Sequence, residues 1–462
     1  NGKEMVDSMR LEGKSLKRDF FRFILPAVAA QWVFALYTMV DAMFVARGVS
    51  ETALAAVNVS SPFVTGMFAL SLTFAVGTST IVALLFGEKK VEKAKEVFSQ
   101  NMVVLVALSL VLTTVVLIWL EGFCRFLGAT EILLPYVKEY IGTLAPFAVF
   151  FILSYSFEIL VSADGYPALA TAIVSVGVVL NCILDYIFVM VLHKGVFGAA
   201  LATAISQVVV IFFYLKHFLG RKGTIKFCKF RFSPALILRE LRNGFPSGIT
   251  ELSAGIITFV FNQAIIRFLS EDALVSYSVI AYVNAIVTMS MVGVAQGSQP
   301  LISYYYGRRE EAKYGRILKY ELRTVAGMSI VALLACYFGA EMLVGIFISA
   351  DLGGLLEYSV RVFRIFILSF LLTGYNVVFA GYFAALEKSG TAVLISLGRG
   401  LLTLVISMAV LTELFGGDGI WWAALLSEAL CLALSGILWR WQKKENPARR
   451  SAAQTADPRT DA

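Results

Sequence analysis

Charge is what this sequence has least of. Asp, Glu, Lys and Arg supply 15% of its 462 residues, against about 25% in a soluble globular domain. With hydrophobic residues at 58% and a mean hydropathy of +0.79, the chain holds more apolar surface than a soluble core can hide, so its solvent must be lipid. Histidine is nearly absent. His193 and His217 are the two, both beside loops at the ends of apolar runs, which argues against a metal-dependent hydrolase or a His-based triad. The five cysteines (Cys124, Cys182, Cys228, Cys336, Cys431) are odd in number, scattered and never spaced C-x-x-C. That disfavours a disulfide framework or zinc site and leaves them as packing residues. Clustered Asp-rich metal motifs, which an intramembrane prenyl or headgroup transferase would use, are also missing, so an enzyme is not expected. Nor is a cleavable leader, because the N-terminus is polar and the first apolar run is long enough to span a bilayer.

What is present is a series of apolar runs, each able to cross a hydrocarbon core of about 30 Å with roughly 20 residues. They fall at 23–46, 54–86, 100–121, 132–160, 168–192 and 195–217, and again at 243–267, 274–306, 317–347, 355–386, 392–415 and 419–441. The expected fold is all-α and polytopic, with twelve membrane helices in two six-helix lobes. The organisation is then a cytoplasmic N-terminal segment at 1–22, a first lobe at 23–217, a basic cytoplasmic connection at 218–242, a second lobe at 243–441 and a tail at 442–462. The tail is polar and Pro-containing, hence expected to be disordered.

Lys and Arg gather in alternate connections: Lys14, Lys17, Arg18 and Arg22; Lys89, Lys90, Lys93 and Lys95; the cations of 216–242; Arg308 to Arg323; and Arg440 to Arg450. Loops on the cytoplasmic side accumulate positive charge, which places both termini inside. The same loops account for the formal net charge of +7, so the basic balance points to lipid headgroups and not to a nucleic-acid partner. Trp421 and Trp422 near one end of the last run, with Trp439 and Trp441 near the other, read as an interfacial aromatic belt.

The two lobes are related. Sliding the sequence by 220 residues places Pro26 on Pro246, SETAL on SEDAL, Gly77 on Gly297, Gly87 on Gly307 and GEKKVEKAKE on GRREEAKYGR; later runs match at 222. Six helices per half is an even number, so both halves share one orientation, a parallel repeat about an axis along the membrane normal.

Ionisable groups inside a membrane are expensive and need a reason. Asp41, Asp185, Glu251, Arg399 and Glu428 stand out. Counting rise along the runs places Asp41, Asp185 and Thr203 at one depth, roughly 8 to 12 Å below the outer surface. Asn181 stands one turn from Asp185, and Tyr37 one turn from Asp41. Two close carboxylates cannot both stay ionised without a cation or a proton, which is the chemistry a coupling-ion site needs, whether the ion is Na+ or H+. At the repeat offsets Asp41 becomes Phe261, while Asn181 and Asp185 become Thr403 and Ser407, so the site belongs to the first lobe alone. Gln31, Tyr37, Asn58 and Gln207 are the substrate-cavity candidates of that lobe. Glu251 and Arg399, both about 12 Å from the inner face, either pair with each other or form a second polar site with Glu428. Pro26 removes a backbone hydrogen bond within the first run and invites a bend, a hinge or a static kink.

In the order VDAMFVARGVSETALAAVNVSSPF, GTSTIVALLFGEKKVEKAKEVFSQ, SADGYPALAT, NCILDYIFV, GVFGAALATAISQ, GFPSGITELSAG and GSQPLISYYYGRREEAK, the chain resembles the multidrug and toxic compound extrusion (MATE) family over residues 15 to 441. The resemblance implies a V-shaped pair of lobes in the bacterial inner membrane, acting by alternating access as a cation-coupled antiporter. Cationic or amphipathic drugs and other small organic compounds would leave in exchange for Na+ or H+, without a cofactor. It also implies an N-lobe cation site at Asp41, Asn181, Asp185 and Thr203, a bend at Pro26 linked to cation binding, and a monomer. Some relatives carry coupling acids on the seventh and tenth helices, a pattern that this sequence does not follow on its tenth run. A lipid-linked precursor flippase of related lobed architecture is the alternative, and it would need a basic central cavity.

Overall fold

The computed structural model describes residues 15–220, 223–269, 271–346, 348 and 353–455; most of the N-terminal segment, residues 1–14, and the end of the tail, 456–462, lie outside them. Nearly everything described is helix. The first lobe comprises α1 (Leu16–Gly48), α2 (Glu51–Gly87), α3 (Val91–Ile118), α4 (Leu134–Ala163), α5 (Pro167–Val191) and α6 (Gly195–Leu219). The second comprises α7 (Pro234–Phe268), α8 (Glu271–Gly307), α9 (Glu311–Phe338), α10 (353–385), α11 (389–415) and α12 (Gly419–Thr455). Short helices at Leu120–Phe126 and Ala340–Gly345 follow α3 and α9.

The expected count and two-lobe organisation hold, with three differences. Pro234 opens α7 eight residues upstream of Arg242. The fixed φ of proline suits a first helical turn, so the connection between lobes is shorter than the basic stretch suggested. The last helix does not stop near Trp441 but continues to Thr455, where a disordered tail was expected; the Lys-, Glu-, Ala- and Arg-rich sequence there favours helix. Trp421 is fully buried and donates through Nε1 to Tyr358 Oη at 3.1 Å, so it anchors α12 to α10 instead of belonging to an interfacial belt. Trp422 and Trp441 are exposed.

The repeat is visible in the backbone. The turns after α2 and α8 both use a left-handed residue, Lys89 at φ 62° and Arg309 at φ 60°. A short 3-10 turn interrupts α4 at Ala145–Phe147 and α10 at Ile367–Ser369. Across the axis α2 packs on α7 and α8 on α1. Gly77 faces the Glu240 backbone, Gly297 faces Phe23 and Ile24, and the equivalent glycines Gly87 and Gly307 meet. A side chain at these points would strike backbone, so glycine is what lets the helices approach. All these close approaches lie in the half of the molecule that carries the basic turns. The lobes are closed together there.

Candidate ion and substrate site

Three helices of the first lobe carry the polar cluster. Asn181 and Asp185 occupy successive turns of α5, and Thr203 projects from α6; all three are buried. Tyr37 Oη of α1 lies 3.5 Å from Thr203 Oγ1. With its amide nitrogen toward Asp185, Asn181 donates to Oδ2 at 2.9 Å while its oxygen accepts from the Thr203 N–H at 3.2 Å. Asp41 of α1 is within hydrogen-bonding reach of Asp185, and the Tyr140 phenol of α4 stands near both. The four residues expected from sequence to meet are therefore brought together, and Tyr140 joins them.

The cluster is incomplete as a hydrogen-bonded unit. Oδ1 of Asp41 and Oδ1 of Asp185 are both buried and have no partner among the described residues. Buried polar atoms are normally satisfied, and two facing carboxyl groups in an apolar setting require a proton or a cation between them. The donor set of carboxylate, amide and hydroxyl oxygens suits a hard ion such as Na+ equally well. Immediately after Asp185, α5 changes to a π turn at Tyr186–Val191, a distortion that recurs at functional sites.

Below the cluster is a pocket of about 70 Å3 lined by Gln31, Tyr37, Glu158, Asn181 and Gln207; the Ser154 hydroxyl donates to Gln207 Oε1. It shares Gln31, Phe34, Phe68 and Tyr155 with a cavity of about 300 Å3 between the lobes, whose second-lobe wall includes Glu251, Tyr277, Gln296 and Arg399. Gln31 Nε2 donates across to Gln296 Oε1 at 3.0 Å. Asn58 lines neither space and is exposed.

Pro26 lies within an uninterrupted α1, and its carbonyl accepts from Thr171 Oγ1 of α5 at 2.8 Å, tying the proline turn to the helix that carries Asp185. Arg399 does not pair with Glu251. Its Nε donates to Glu428 Oε1 at 2.9 Å, and Asn376 Nδ2 donates to the other carboxylate oxygen at 2.7 Å. Equal depth brought Glu251 and Arg399 together on paper, but rise along a helix says nothing of azimuth, and α12 presents the nearer acid. Glu251 is left on the cavity wall.

Several acids escaped the sequence reading: Glu240 and Asp164 lie outside the runs as drawn, while Glu321 and Glu158 lie near the ends of theirs. Glu240 is fully buried against α2 beside Gly77, yet it fell in the connection. Glu321 near the start of α9 is buried and accepts from the Ser298 hydroxyl, and Glu158 lies near the end of α4. Outside the spans, Asp164 follows α4, accepts from Thr224 N–H and Ile225 N–H, both at 3.0 Å, and pairs with His217 Nε2 at 2.8 Å. Burial pushes its carboxyl above the usual range, opposed by the hydrogen bonds from His217 and the two amides.

A family model described as MatE matches residues 26–187 and 246–409. The chain is 25% identical over 430 residues to the multidrug export protein MepA of Staphylococcus saprophyticus, covering 92% of this chain and 94% of that one. It is 24% identical over 418 residues to MepA of Staphylococcus aureus, covering 90% and 91%. Among solved structures, the outward-facing conformation of a multidrug resistance MATE family transporter of the MOP superfamily superposes with a TM-score of 0.88 at 21% identity, covering 94% of this chain and 97% of that one.

Proposed function

The chain belongs to the MatE family, and from that premise we propose that it is a cation-coupled antiporter that exports cationic or amphipathic organic compounds in exchange for Na+ or H+. One observation carries the coupling: the neighbouring carboxyl groups of Asp41 and Asp185, each with a buried, unpartnered Oδ1, beside Asn181 and Thr203. An ion arriving from outside neutralises the pair and draws α1 toward α5 and α6 through Tyr37. Asn181 and Tyr37 line both the cluster and the pocket below it, so the same movement reshapes the pocket and weakens its hold on substrate. The Thr171 tether makes the turn at Pro26 the point about which α1 bends. Substrate then leaves outward, and the ion is released to the cytoplasm when the lobes exchange access.

In this reading the chain sits in the bacterial inner membrane with both termini cytoplasmic, acts as a monomer and takes its substrate into the central cavity. Phe34, Phe68, Tyr155 and Tyr277 offer aromatic faces there, and Glu251 offers a negative charge to an organic cation. The flippase alternative needs surplus positive charge in that cavity, and the guanidinium of Arg399 is already neutralised by Glu428.

The test is efflux of a fluorescent organic cation from proteoliposomes in which Na+ and pH gradients are imposed separately. Wild-type protein should respond to one of them, and Asp41→Asn should lose the response while remaining folded and membrane-inserted. Undiminished gradient-driven export by Asp41→Asn would end the proposal.

A further inference from the structure

On the lipid side of the molecule a groove of about 880 Å3 follows the seam between α1, α8 and α9. Its walls are apolar: Leu25 and Trp32 of α1, Met291 of α8, and Met328 and Val331 of α9 line it. Leu25, Trp32 and Val331 are 63%, 51% and 67% exposed, so the groove lies open along its length. Trp32 Nε1 donates to Ser290 Oγ at 2.7 Å and marks its upper part. The lower end differs in chemistry, because Lys17 at the start of α1 and Arg323 of α9 both line it and both are exposed.

The dimensions fit one leaflet. Fifteen positions of helix separate Lys17 from Trp32, about 22 Å at the rise of an α-helix, against about 15 Å for half a hydrocarbon core plus the headgroup layer beyond it. Two cations at the headgroup level below an open apolar channel complement an anionic head with an acyl chain. The groove also borders the packed seam where α8 approaches α1 at Gly293 and Gly297, so an occupant touches both lobes at once.

We infer that this groove is a binding site for an anionic phospholipid of the leaflet on the Lys17 side, with its phosphate between Lys17 and Arg323 and one acyl chain lying along α1 as far as Trp32. Bridging the two lobes, the lipid favours the arrangement closed at the basic end. The inference rests on the membrane orientation proposed above and is independent of which ion, if any, drives export.

Native mass spectrometry of the purified full chain, titrated with phosphatidylglycerol or with phosphatidylcholine of the same acyl chains, tests it. Wild-type protein should retain one phosphatidylglycerol about twenty-fold more tightly than phosphatidylcholine. Lys17→Gln and Arg323→Gln should each weaken phosphatidylglycerol binding by about fivefold, and Gly327→Phe should weaken both lipids by filling the groove. Gly327 lines the groove, and a Cβ there meets nothing within 4 Å, so the added side chain starts into the open groove and not against a neighbouring helix. Equal retention of the two lipids, or wild-type binding by both charge variants, overturns the site. So does displacement of the bound lipid by a transported organic cation whose own binding Gly327→Phe abolishes, since the groove would then be a substrate site. The readout needs no ion gradient, so a negative result leaves the antiport reading standing, and loss of coupling in Asp41→Asn leaves the lipid site standing.

Discussion

Arg399 and Glu428 form an ion pair at 2.9 Å between α11 and α12, and Asn376 of α10 holds the second carboxylate oxygen. At the 222-residue offset these three residues correspond to Gly177, Ser206 and Ser154, which line the first-lobe pocket below the acidic cluster. The second lobe places a charged group of side chains where the first keeps small residues and a hollow. The asymmetry of the lobes therefore extends beyond the loss of Asp41 and Asp185 equivalents: the second lobe is braced across α10, α11 and α12 at positions where the first lobe lines a pocket.

Bracing of this kind has a measurable signature. Removing one partner of a largely buried ion pair strands the other, at a cost of up to about 3 to 5 kcal/mol. Arg399→Gln is expected to lower the thermal unfolding midpoint of the purified protein markedly, and adding Glu428→Gln should restore most of it, because a neutral amide can still accept from Asn376. If the double variant is no more stable than Arg399→Gln alone, the pair is not what joins α11 to α12.

The connection between lobes is held by a different device. Asp164 accepts from the backbone of Thr224 and Ile225 and pairs with His217, and the connection is also pinned to α3, where Ser99 Oγ accepts from Cys228 N–H and Gln100 exchanges hydrogen bonds with Ser233. Asp164→Asn keeps one oxygen for the Thr224 and Ile225 N–H groups but puts an amide donor in place of Oδ2, where His217 Nε2 at 2.8 Å and the Thr224 N–H at 3.2 Å approach, a loss of about 1 to 3 kcal/mol. Trypsin should then cleave at Lys226, Lys229 or Arg231 roughly 5 to 150 times faster, since cleavage tracks the opening equilibrium when closing is fast. Unchanged cleavage kinetics would show that the α3 contacts alone secure the connection.

Why some of this was legible in the sequence and some was not has a physical basis. Lipid as solvent makes helix length and hydropathy decisive, so the twelve helices follow from apolar runs, and an exact 220-residue spacing of Gly87 and Gly307 disclosed the repeat that the structure brings face to face. The Asp41, Asn181, Asp185 and Thr203 cluster was recoverable because depth and helical phase together fix a layer and a face. Arg399 defeated the same reasoning, since its depth matched Glu251 while its direction matched Glu428, and a π turn at Gly398–Leu402 alters the local phase in a way no period reveals. Glu240 was hidden by its basic neighbours Arg239 and Arg242. Their charge made the sequence look like a loop, although Arg239 turns outward to Glu387 at 2.7 Å while Glu240 turns inward on the same helix.

The seam that Glu240 occupies also supplies the sharpest conformational prediction. Gly244 of α7 lies against α2 so closely that a Cβ would overlap the carbonyl oxygen of Thr73. That neighbour is backbone and cannot rotate away, so Gly244→Ala is accommodated only by separating α2 from α7. Overpacking of this kind costs about 1 to 3 kcal/mol, enough to move a two-state balance by roughly 5- to 150-fold toward an arrangement opened at the basic end. Spin labels at Lys93→Cys and Arg316→Cys, exposed positions on the two lobes, report that opening in a background with the five native cysteines replaced. The Gly244→Ala distance distribution should shift to longer values. Gly255→Ala, on the same helix but with no atom within 4 Å of its added carbon, should leave the distribution as in wild type. A distribution unchanged by Gly244→Ala, in protein that still folds, would mean that the close packing of α2 and α7 is not what holds the lobes together at this end.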